Sequence, residues 1–288
     1  MPGTVTPSSA ASASDSRHEC QYPDIALDPA TNEYPFQRKM VFCELLTSQF
    51  TPAQLVQVCG ECLQYSARCC THIGLGRACH HFRLVFTSGA CVDGRAGLSV
   101  VLGQIGPGID QFAQPVTDDM DPGQKRTPQR AELLAALMGL RRAMDGDLHD
   151  YEGYDAAAVK ERIIATDSEY VVKGMTEWMG QWRRNGWKTS FGMKPANLDL
   201  FQLLERTIEE MEVEHNAVFG FWQVPKIVNR DAEKMARAAA KGALTGKKVE
   251  PGSGEKGASD EKGGAEASAE GSRKRLVKVG AVEGGEKS

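Results

Sequence analysis

The sequence predicts an α/β protein: a mixed five-stranded sheet flanked by helices, with the element order βββαβααβα. Two observations carry that prediction. Short runs rich in β-branched and aromatic residues come first, and helical periodicities alternating with single strands follow them. A third observation limits the fold to the middle of the chain. Residues 1–40 open on Ser, Ala, Pro and Thr, and residues 245–288 are mostly Gly, Glu, Lys, Ser and Ala with no aromatic side chain. Both ends are expected to be disordered, since neither carries enough apolar surface to offset ordering.

The elements follow in order. Phe82 to Thr87 and Gly97 to Leu102 are apolar, β-branched runs separated by a Gly-containing turn, and they read as an antiparallel hairpin. Asp93, beside Gly94, reads as a residue of that turn. A third strand is expected near Gln111 to Val116. Thr127-Pro128 opens a helix with a capping residue followed by proline at the first position, and Leu133, Leu137, Leu140 and Met144 recur at helical spacing. An acidic, Ala-rich connection leads to a short buried strand, Arg162 to Thr166. Ser168 then caps a helix with the stripe Val171, Met175, Trp178 and Trp182. A helix from about Asn197 to Glu214, a strand from Val218 to Val224 and a last helix from Asn229 to Lys241 complete the order. The main domain is expected to span 82–244.

Three acidic residues lie at element ends. Asp167 directly follows an apolar strand, Glu132 lies early in its helix, and Glu233 lies early in the last one. Converging carboxylates repel one another unless a cation neutralises them, so such a set points to a divalent metal. Taken singly, acidic residues near helix starts are also ordinary dipole partners.

Residues 41–81 form a Cys/His-rich lead-in. Cys59-Gly60-Glu61-Cys62 followed by Cys69-Cys70-Thr71-His72 has the spacing of a small zinc site, with Cys79, His80 and His81 as further candidates. A reduced cluster packed on the sheet is the competing reading.

Composition excludes little. The chain is 41% hydrophobic and 25% charged with a net charge of −4, so nucleic-acid binding would need a local basic face. No run of about 18 apolar residues occurs, and the N-terminus lacks a secretory pattern. The protein is therefore expected to be intracellular, nuclear or cytoplasmic, not secreted and not in a membrane, with its 8 cysteines mostly reduced. Ser272 to Lys278 carries a basic patch that fits a nuclear import signal or a solvated run.

Four blocks, in order, resemble type 1 ribonuclease H. They are Gln129 to Leu137; Thr166 to Val172 with Gly174, Met175, Thr176 and Trp178; Trp182 to Thr189 followed by Asn197 and Asp199 to Phe201; and Trp222 to Pro225 with Asn229 to Ala236. The resemblance implies a ribonuclease H-like fold and cleavage of the RNA strand of an RNA–DNA hybrid by two magnesium or manganese ions on four carboxylates. By the same resemblance Glu132 and Asp167 are two of these, and Glu233 takes the place of the fourth, usually Asp. Where the family reads Thr-Asp-Gly this chain reads Thr87-Ser88-Gly89, so Ser88 stands at the position of the first Asp. The loop that usually carries a histidine is reduced to Lys226-Ile227-Val228.

A neutral hydroxyl cannot replace an anion between two cations, and activity is expected to be reduced or lost. The resemblance further assigns Lys125, Thr127 and Asn197 to a phosphate-binding pocket and Trp178 and Ser190 to a DNA channel. Gln129 is retained, but Pro128 stands where an Asn often reads the RNA minor groove. Arg183, Arg184 and Lys188 add local positive charge. The alternatives are a non-catalytic module that binds a hybrid or duplex, or a protein-interaction module on the same fold; protein partners are not indicated.

Overall fold

A computed structural model describes residues 38–74, 78–104, 111–145 and 160–242. The expected disorder of 1–37 and 245–288, the basic patch at 272–278 and most of the Ala-rich connection lie outside these residues.

Two short helices, α1 (Glu44–Thr47) and α2 (Pro52–Leu55), lead into a small antiparallel hairpin of β1 (Val56–Val58) and β2 (Tyr65–Ala67). Next come β3 (Phe82–Val92) and β4 (Arg95–Val101), joined by Asp93-Gly94, both at positive φ (49° and 75°). That is the backbone a two-residue hairpin turn requires, and it makes Asp93 an exposed turn residue. β5 (Phe112–Pro115) pairs with β4.

α3 (Pro128–Arg142) then crosses to β6 (Lys160–Thr166). The helical region from α4 (Glu169–Lys173) through a π-helical turn (Gly174–Trp178) to α5 (Met179–Arg184) precedes α6 (Leu198–His215), β7 (Ala217–Gln223) and α7 (Arg230–Ala240). The expected order βββαβααβα is thus present from β3 to α7.

The sheet has seven strands where five were expected, because β1 and β2 join it. β2 meets β3 at Ser66 and Arg83, and the Tyr65 N–H donates to the Leu102 carbonyl (2.9 Å), which sets the small hairpin in line with the end of β4. At the opposite edge Lys39 bridges to Phe221, so residues 38–40 cover β7 and belong to the fold rather than to a disordered end. Strands of three residues, flanked by cysteines, gave no period long enough to read from sequence.

Both faces of the sheet are covered, which is why its central strands are continuous apolar runs. Val85, Ile164, Phe219 and Phe221 face α3 and α6, packing with Leu133, Leu137, Phe201 and Leu204. Leu84, Phe86, Ile163 and Trp222 face the other way, against Leu46, Leu55, Cys69 and Cys70 of the lead-in and Ala232 of α7. Full burial of a side chain such as Phe201 contributes about 1.5–3 kcal/mol. No described helix is long and apolar enough to cross a membrane.

β6 runs parallel to β3, with Phe86 opposite Ala165. Two residues further on, Ser88 and Asp167 stand at the same level, so the topology itself assembles the carboxylate end of the sheet.

Candidate carboxylate site and nucleic-acid face

Glu132 lies in the first turns of α3, half-buried, with its Oε2 shut off from solvent. It accepts a hydrogen bond from the Gly89 backbone N–H, while its Oε2 has no hydrogen-bond partner. The contact depends on Gly89 having no side chain, since a Cβ there would lie 2.1 Å from the Ala131 carbonyl carbon. Burial pushes the Glu132 carboxyl up to about 8; the Gly89 N–H opposes this, Asp167 and Glu233 add to it, and Lys226 again opposes it.

Asp167 leaves the end of β6, and its Oδ1 accepts from Asn229 Nδ2 at 2.6 Å. Asn229 is fully buried and also donates to the Thr87 carbonyl (2.9 Å), linking β3 to the carboxylate. Its place before α7 reads as a helix cap, yet the side chain makes no cap bond and turns to Asp167 instead. Sequence alone places Asn229 only as the first residue of the last helix and gives it no role.

Glu233 is held by Lys226 Nζ (3.1 Å) and by Arg237 one helical turn on (2.9 Å). What burial it has raises its carboxyl, but these two cations outweigh that and hold it below the usual carboxylate range. Lys226, in the shortened loop, thus brings its own positive charge to the carboxylates. Ser88 is buried (2% exposed) on β3 and supplies no anion.

Hard oxygen donors and an orphaned buried carboxylate oxygen suit a magnesium or manganese ion at Glu132 and Asp167. Glu233 is already neutralised by its partners, and Ser88 leaves the other side without charge. Among the described residues the three carboxylates do not form a group with all oxygens within 4.8 Å of one another, a spacing that two Cys/His groups do meet.

The pocket assigned to phosphate is built around Arg130, a residue that sequence alone left as one of a block. Its guanidinium is buried against Asp121 (2.9 and 2.5 Å) and bonds Asp199 (3.2 and 2.8 Å) and the Asn197 Oδ1 (3.3 Å). Arg130 in turn holds the Asp199 carboxyl below its usual range. Thr127 caps α3 by accepting from the Arg130 N–H at 3.2 Å. Thr127 and Asn197 are therefore brought together through one arginine, with Lys125 and Gln129 exposed beside them.

From Asn197 the contacts continue outward. Its Nδ2 donates to the Tyr170 hydroxyl (3.0 Å), Tyr170 meets Trp178 edge-on, and Trp178 tilts against Trp182. Trp178 and Ser190 both line an open groove of ≈ 360 Å³, with Gln181, Trp182, Asn185, Lys188 and Thr189. Trp182 also packs edge-on against Phe201, so it serves core and groove together. Of the local cations, Arg183 is paired with Glu205, whereas Arg184 and Lys188 are exposed.

In the lead-in, the expected zinc ligands divide. Cys59 and Cys62 come together with His80, and Cys69 and His72 with Cys79. Cys70 belongs to neither group and is buried in the lead-in core.

The RNase H family model matches residues 81–241, more than half of the chain. Human Ribonuclease H1 is 30% identical over 165 residues, covering 56% of this chain and 50% of that protein, so the chain spans about half the length of that relative. Ribonuclease H of Sodalis glossinidius is 29% identical over 160 residues, covering 54% of this chain and 83% of the relative. The crystal structure of RNase H1 from Halobacterium salinarum shares 19% identity over 56% of this chain and 98% of that one, with a TM-score of 0.36. With the matched segment running from the start of β3 through α7, the chain belongs to the RNase H family.

Proposed function

We propose that this protein binds nucleic acid, an RNA–DNA hybrid, along the face from the Arg130 pocket to the Trp178 groove, and cleaves the RNA strand weakly or not at all. One observation carries the reading: Thr127 and Asn197 are held in place by hydrogen bonds to Arg130, whereas the carboxylate set lacks an anion at Ser88. Thr127 and Asn197 bond Arg130 directly, and Tyr170 joins them through Asn197. The exposed Lys125 and Lys188 offer phosphate contacts despite the acidic net charge.

A divalent cation held by Glu132 and Asp167 would supply an activated water and neutralise charge on a leaving oxygen. The chain's own part is positional. Asn229 fixes the Asp167 carboxylate, the Gly89 N–H fixes that of Glu132, and Lys226 pairs with Glu233. Without a carboxylate at position 88 a cation loses a ligand, and the negative charge developing on the phosphate would go without the cation that offsets it; removing a single electrostatic stabiliser of this kind lowers rates by about 10²–10³-fold.

The test is a salt titration of binding to a labelled RNA–DNA hybrid in chelator, followed by incubation with magnesium or manganese. Binding that weakens steeply with salt is expected, with any residual cleavage abolished by Asp167→Asn. No binding at low ionic strength would remove the proposal and leave the protein-interaction reading.

A further inference from the structure

We propose that the lead-in holds two zinc ions, one on Cys69, His72, Cys79 and His81 and the other on Cys59, Cys62 and His80. Within each of the two groups Cys59, Cys62, His80 and Cys69, His72, Cys79, the ligand atoms all lie within 4.8 Å of one another. The Cys69 Sγ is also 3.5 Å from His81 Nδ1; His81 is not within 4.8 Å of all three donors of that group, and it would complete the set on a rotation of its side chain. Zinc bonds of about 2.3 Å to sulfur and about 2.0 Å to nitrogen put the sulfur–nitrogen edge of a tetrahedron at about 3.5 Å. The observed separations, 3.6 Å for Cys62 Sγ to His80 Nε2 and 3.5 Å for Cys69 to His81, have that length.

Three further features agree. The buried Nδ1 of His72 has no hydrogen-bond partner, which is costly for an imidazole nitrogen with nothing to bind. The Cys62 backbone N–H points at the Cys59 sulfur (3.5 Å), as in a knuckle that stabilises thiolate charge. The triplet Cys79-His80-His81 divides by alternation, Cys79 and His81 to one group and His80 to the other, as a chain entering a strand would deliver them. Thiolate and imidazole donors select zinc over the hard cations suited to the carboxylates.

The ions would serve structure. β1 and β2 have three residues each, too few to hold themselves together, and both ligand groups tie them to the residues entering β3. The four-donor set leaves no open position; the three-donor set leaves its fourth to water.

The full chain, purified without a histidine tag from zinc-supplemented culture, is assayed by elemental analysis and by cobalt substitution. Two zinc ions per chain are expected, falling to one in Cys62→Ser and one in Cys69→Ser and staying at two in Cys91→Ser. Cobalt substitution of the unaltered chain, which depends on no variant folding, should show two equivalents with tetrahedral, thiolate-ligated absorption. A chain that carries no zinc and yields no such spectrum, or takes one equivalent only, overturns the proposal. So does loss of metal from Cys91→Ser equal to that from Cys69→Ser. Hybrid binding is measured separately, so failure here leaves the functional reading untouched.

Discussion

Arg130 and Glu132 stand two residues apart on α3, and their surroundings are opposite. Arg130 is buried with carboxylates and an amide arranged around it, so its charge is compensated. Glu132 is half-buried with a single backbone donor, a buried orphaned oxygen and two further carboxylates nearby. The first environment is complete in the protein alone. The second is complete only with a cation, and the anion that would help recruit one is missing at Ser88. Grip and chemistry therefore come apart within a single turn of one helix.

The sharpest way to break this contrast is to damage its complete half. Arg130→Ala leaves Asp121, 3% exposed, with only Arg126 beside it, and removes the link to Asn197 and Asp199. A loss of about 3 kcal/mol in denaturant unfolding is expected, with hybrid affinity falling as well. A neutral result would mean that the pocket is not organised by this arginine.

Asn229→Ala tests the other half. It frees the Thr87 carbonyl and the Asp167 carboxylate, and a loss of about 1–3 kcal/mol should appear in the same measurement. Hybrid affinity in chelator should change little, because Asn229 lies outside the pocket and groove.

Glu132 sets a pH dependence. Its carboxyl titrates near 8 in the folded chain against an ordinary value of 4.5. The folded state thus binds the extra proton between these values, so the contribution of this group to stability is full below about 4.5 and is lost as pH rises toward about 8. Glu132→Gln should raise Tm at pH 8 by about 4 °C or more, with the difference vanishing near pH 4. Magnesium should stabilise the unaltered chain at pH 8 and leave the variant unmoved.

The smallest effect is expected at the surface. Lys125→Ala should weaken hybrid binding severalfold and reduce the salt slope by about one, with no change in Tm. Unchanged affinity would move the phosphate contact elsewhere on the face.

The element order, the three carboxylates and the pocket residues Thr127 and Asn197 were legible because helical and strand periods are long there and the blocks are distinctive. Arg130 was not, since an arginine at a helix start reads as solvated until Asp121, from a loop, and Asp199, from α6, are known to converge on it. Asn229 was placed only as the start of the last helix, because its partners Thr87 and Asp167 lie 142 and 62 residues away. The pairing of the lead-in ligands was equally out of reach, because His80 and Cys79 reach opposite groups only once the small hairpin is set against β3.

The most direct measurement is the rate of hybrid cleavage by Ser88→Asp beside the unaltered protein, with affinity for the same hybrid determined for both. The account predicts that Ser88→Asp gains at least about 10²-fold in cleavage at nearly unchanged affinity. Equal and rapid cleavage by both would contradict it, showing that the site works without the first carboxylate.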